Sequence, residues 1–135
     1  MSLPISLSRF AGVWAIMAVA MSANGIAREL VLKRSLNAGN ANALSAIVGI
    51  ALLSVITSIG FRGIGNATGA QLLALSAALV VVTVLFETVL GRAVDHKSWS
   101  ALLAHYDLRR GELWPLVLGW LALTPFIWAR WARRG

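Results

Sequence analysis

Apolar positions in this chain do not alternate with polar ones. They come in runs. Phe10–Ala27 lies between Arg9 and Arg28 with no charged residue, Ala43–Phe61 ends at Arg62, Ala70–Leu90 follows a glycine-rich link, and Pro115–Ala129 follows a polar connection. Runs of roughly 17–25 apolar residues suit helices that cross a bilayer, where the backbone has no water to bond and must satisfy itself. The pattern predicts an all-α, four-helix transmembrane bundle, with spans at about 10–27, 43–61, 70–90 and 115–129. Its length is accommodated by a single transmembrane domain, 1–135.

The segments between the runs have turn chemistry. Lys33–Asn42 holds Asn37, Gly39, Asn40 and Asn42, and Arg62–Gly69 holds three glycines with Asn66. Both suit reversals between antiparallel helices. In the longest connection, Gly91–Leu113, Ser98 is positioned as an N-cap. Trp99, Leu102, Leu103 and Tyr106 follow at the i, i+3, i+4, i+7 spacing of one helical face. That spacing predicts a short amphipathic helix at the interface, ending near Gly111. Within the fourth run, Pro125 removes one backbone hydrogen bond, so a neighbouring helix or side chain must satisfy the freed carbonyl. Small residues form stripes at Ala11, Ala15, Ala18 and Ser22, at Ala51, Ser54 and Ser58, and at Ala70, Ala74 and Ala77, spacings that favour close helix approach.

Composition agrees with a membrane solvent. The chain is 59% hydrophobic and 13% charged, with a mean hydropathy of +0.78, against about 25% charged in soluble domains. A net charge of +7 from twelve Lys and Arg residues would suggest nucleic acid in a soluble protein. Here the cations flank apolar runs, where anionic headgroups attract them, and no nucleic-acid partner is expected. With four spans both termini share a side. That side carries five basic residues and the other seven, a split that favours neither orientation. Arg9 before the short run Ala11–Ala20 also fits a signal peptide, although one charge makes a poor n-region. Cysteine is absent, which excludes disulfides and thiolate chemistry.

One ionisable residue needs a reason. Glu87 falls three residues inside the third run, where a carboxylate costs up to about 2.5–3.5 kcal/mol at the bilayer centre and less near its edge. Chain direction brings the ends of spans one and three to the same side, so Arg28 and Glu29 share a level with Glu87 and Arg92. These four form the candidate polar network. It reads as a clamp fixing helix register, as a substrate or ion site in which Glu87 changes protonation, or as a solvated Glu87. Asp95, His96, His105 and Asp107 suggest a metal site only on paper, because nine residues between the histidines is not a same-face spacing. No phosphate loop, HExxH pair or Ser/His/Asp arrangement appears, so neither an enzyme nor a cofactor or metal is expected.

The run Phe86-Glu87-x-x-x-Gly91-Arg92, then Ser98-Trp99-x-x-Leu102-Leu103-x-x-Tyr106, then Gly111-x-Leu113-Trp114-Pro115-Leu116-Val117-Leu118, resembles a family of small, functionally uncharacterised four-span membrane proteins of bacteria. Asn24-Gly25-x-x-Arg28-Glu29 fits the same family's first span. The chain departs at His105, where the resemblance implies an acidic residue. What it implies is architecture and a multi-pass place in the bacterial inner (cytoplasmic) membrane; it brings no activity. The resulting expectation is a structural or accessory subunit, with membrane lipids and a second copy or a membrane-protein partner around it. The alternative is an oligomeric small-molecule or ion transporter using Glu87.

Overall fold

The computed structural model describes residues 3–94, 96–104, 106–107 and 113–134. Four long helices make a bundle: α1 (Leu7–Ala27), α2 (Ala38–Gly60), α3 (Gly69–Val89) and α5 (Trp114–Arg134), with a short α4 (Trp99–Ala104) before the last. No strand occurs among the described residues. Three helical stretches, Leu7–Leu32, Gly39–Gly60 and Gly69–Val94, are long and apolar enough to cross a membrane. The fourth predicted span corresponds to α5, which is long enough but diluted by tryptophan, glycine, Pro125 and Arg130. On length and apolarity together the count is therefore three.

Local signals set the helix starts. Ser6 Oγ accepts from Arg9 N at 3.2 Å, and Asn37 Oδ1 from Asn40 N at 2.8 Å. Thr68 and Gln71 form a reciprocal capping box before α3. Each cap satisfies an amide the first turn leaves without a helical partner. Because Asn37 caps α2, Asn40 and Asn42 lie inside the helix instead of in the predicted turn. The break before it is confined to Leu36 and Asn37, both extended, after a single helical turn at Lys33–Ser35.

The helix ends also differ from expectation. Neither α1 nor α3 stops at its last apolar residue; each widens into a π-helical turn, Arg28–Leu32 and Leu90–Val94. Arg28, Glu29 and Arg92 thus sit on helical turns at the same end of the bundle. At the other end, the link after α2 turns through Gly63, whose φ of 85° lies in the left-handed region open to glycine. Two arginines grip this link. Arg9 donates from Nε to Gly60 O at 2.7 Å and from Nη2 to Arg62 O, while Arg133 donates to Gly65 O at 2.7 Å and Ala67 O at 2.8 Å. They satisfy carbonyls that a helix end and a turn would otherwise leave open.

Backbones approach closely between α1 and α2, α2 and α5, and α3 and α5. At Gly60 a Cβ would stand 2.4 Å from Val13 Cγ2, so α1 and α2 can meet there only at a glycine. Between α1 and α3 the contact runs through longer side chains: Trp14 Nε1 donates to Thr83 Oγ1 at 3.1 Å and its ring meets Phe86 edge-on. Leu53, Leu75, Leu79 and Leu121 fill the centre. Trp120 and Trp128 donate to Ser54 and Thr57 at 2.9 and 2.8 Å, joining α5 to α2. The small-residue stripes mostly face outward: Ala11, Ala15, Ala51, Ala70 and Ala77 are exposed.

Pro125 is buried in α5, and both neighbouring carbonyls are accounted for. Leu121 O, four residues back, accepts from Thr124 Oγ1 at 2.8 Å. Ala122 O accepts from Ser76 Oγ of α3 at 2.7 Å. Thr124 thus answers the defect from within α5, and Ser76 adds a bond between helices at the next carbonyl.

Candidate functional site

The end of the bundle with the two π turns holds a cavity of about 630 Å³, lined in part by Arg28, Glu29, Glu87, Lys97, Asn24 and Asn42. A smaller one of about 130 Å³ lies beside it, under α4, and shares Arg28, Glu87, Leu90 and Lys97. Three of the four predicted network residues therefore converge on one space. Arg92 is turned elsewhere. Its guanidinium lies 4.7 Å from the Trp99 ring centroid and donates to Lys97 O at 3.2 Å, a cation–π contact that holds α4 to the π turn.

Lys97 is the cation that sequence reasoning missed. The chain reverses through His96, exposed and left-handed at φ 53°, and Lys97 N closes back on Gly91 O at 2.8 Å. Backbone closure of this kind has no residue pattern to announce it. Of the imagined metal ligands, Asp95 and His105 lie outside the described residues, as does Gly111, the expected end of the short helix.

Arg28 Nε stands 3.6 Å from Glu29 Oε1. That nitrogen is buried and makes no hydrogen bond among the described residues, although the side chain as a whole is 28% exposed. Its charge is met, but its directional bond is not. Near it, Asn24 Nδ2 donates to Ser45 O at 2.9 Å, joining α1 to α2 along the cavity wall. Gly49 makes this approach available, since a Cβ there would be 3.0 Å from Met21 and 3.2 Å from Asn24.

The short helix α4 starts as predicted, with Ser98 Oγ accepting from Ala101 N at 3.2 Å, but it ends at Ala104, leaving Tyr106 in the following turn. Trp99 and Leu103 face outward; Leu102 and Tyr106 are half-buried. Leu102 lies against Gly91, where a Cβ would meet it at 2.4 Å. Burial pushes the Tyr106 phenol above its ordinary pKa of 10.0; a hydrogen bond with Trp114 opposes this, and the negative charge of Glu87 adds to it.

From the cavity toward the bundle centre, an apolar crevice continues between Trp14, Phe86, Leu118 and Leu121, with Glu87 and Trp114 at the junction. The site is thus mixed in charge at its outer end and apolar within. Comparison with family models, curated proteins and solved structures finds no match to this chain.

Proposed function

We propose that this chain is a four-helix integral protein of a bacterial inner membrane, non-enzymatic, and a structural or accessory subunit whose polar corner around Glu87 and Arg28 fixes the relation of α1 to α3. The observation that supports it is the slimness of the bundle. Only 11% of the apolar window of the first candidate span and 22% of the other two is buried within the chain. Large side chains such as Ile16, Val19, Val55, Leu73 and Leu85 point outward, which suits a solvent of lipid tails or the face of another membrane protein. The α5 helix completes the count of spans: 21 residues at 1.5 Å each reach about 30 Å, the hydrocarbon thickness. Its tryptophans bond to α2 and its basic end leaves at the interface.

Purification in mild detergent followed by native mass spectrometry tests the reading. A stoichiometric protein partner supports the accessory role, and its absence at native expression level removes it. A second reading, an oligomeric transporter using Glu87, is favoured by the same cavity, where ionisable groups face a space large enough for a small molecule. Loss of uptake in Glu87→Gln vesicles with the assembly intact would select it.

A further inference from the structure

We infer that the 630 Å³ cavity is a headgroup site for an aminophospholipid, a zwitterion with a phosphate and a primary ammonium. This rests on the membrane reading above. The first argument is charge. The lining carries two cations, Arg28 and Lys97, and two carboxylates, Glu29 and Glu87. A simple anion would meet the carboxylates, and a simple cation the guanidinium, whereas a zwitterion has a group for each. The second argument is the Arg28 guanidinium, which lines both cavities and belongs to a side chain that is 28% exposed; a phosphate would accept from it in the fork geometry arginine favours. The third is position. The cavity lies where two candidate spans end in widened turns, and its wall includes Ile26 and Leu30, 59% and 55% exposed, over which acyl chains would run into the bilayer.

The amine is specified more closely by hydrogen bonding. A primary ammonium offers three N–H donors to carboxylates. A trimethylated amine offers none, and a glycerol headgroup has no cation at all.

The test uses the full chain in vesicles of mixed phosphatidylethanolamine, phosphatidylglycerol and phosphatidylcholine, followed by native mass spectrometry of the lipid retained. Phosphatidylethanolamine should be enriched about tenfold over the other two, the size of one charge-assisted hydrogen bond. Glu29→Gln with Glu87→Gln should remove that preference while Arg28 still holds phosphate. Lys97→Gln, at an exposed position whose hydrogen bonds to Gly91 and Arg92 are made by the backbone, should lower retention of every phospholipid, and so reads the site even where the double variant fails to fold. Water-soluble glycerophosphoethanolamine should not compete. Equal retention of phosphatidylglycerol, unchanged retention in Lys97→Gln, or competition by the free headgroup would each overturn the proposal. A chain that stays in the aqueous phase fails the membrane reading itself, whereas an inserted chain without lipid preference removes only the site.

Discussion

Tyr106 is the only tyrosine in the chain, which turns one side chain into a private probe of the polar end. Its phenol is raised by burial, then by Glu87 against the opposing Trp114 bond, so absorbance titration should place its ionisation above 10.0. Between the unfolded and folded values the folded state holds more protons, so stability is complete below the unfolded pKa and falls as pH rises through the folded one. Glu87→Gln should move the midpoint down toward 10.0; an unmoved midpoint would separate Glu87 from Tyr106. Two glycines give a contrast of the same resolution. Gly60→Ala should cost about 1–3 kcal/mol, because Val13 is a stiff neighbour at 2.4 Å. Gly12 has nothing within 4 Å of a Cβ, and Gly12→Ala should stabilise by about 0.5–1 kcal/mol through helix propensity. Thermal melts in detergent measure both, and equal effects would mean that α1 and α2 do not meet as described.

Helix α5 tests how a membrane-type helix tolerates proline. Thr124→Val removes the hydroxyl that Leu121 O accepts from, and should cost about 0.5–1.5 kcal/mol. In a Pro125→Ala background the restored amide of residue 125 takes over that carbonyl, four residues back, and the same change should cost less. Additive losses in the double-mutant cycle would show that Thr124 does not answer the proline. The need for such a partner was legible from Pro125 alone; its identity was not, because a threonine beside a proline carries no mark of which carbonyl its hydroxyl meets. The start of α4 was legible at Ser98 for the opposite reason, a cap being a local device. The ends of α1 and α3 were hidden by reading the end of each apolar run, before Arg28 and before Gly91, as the end of the helix. Arg28 and Leu90 continue the helical path with a wider turn, and a π turn has no composition of its own. Arg28, Glu29 and Glu87 could be brought together from chain direction and span length alone. Lys97 could not, since its place follows from a reversal at His96.

For the whole molecule the prediction concerns sidedness. The chain has no cysteine, so single cysteines can be introduced without a background. With α1, α2, α3 and α5 all crossing, Ser6→Cys, Asn66→Cys and Arg130→Cys should react with a membrane-impermeant reagent from one side and Ser100→Cys from the other. Arg130 labelling with Ser100 would leave three crossings, the number that length and apolarity give by themselves. The outward placement of Ala11, Ala15, Ala70 and Ala77 has a whole-molecule meaning too. Stripes that look like internal seams in sequence face away from this bundle, because alanine richness carries no record of which side meets the interior.

The two arginines on the link between α2 and α3 come from opposite ends of the chain, and they become available at different times during synthesis. Arg9 already exists when Gly60 and Arg62 emerge, whereas Arg133 follows the whole of α5. Until then Gly65 O and Ala67 O have no guanidinium to hold them. The link is therefore a latch with an early and a late bolt, and its closure reports that the last helix has arrived. A chain cut before Leu113 should expose 62–69 to a soluble protease that the full chain resists, and equal resistance would show that the second bolt holds nothing.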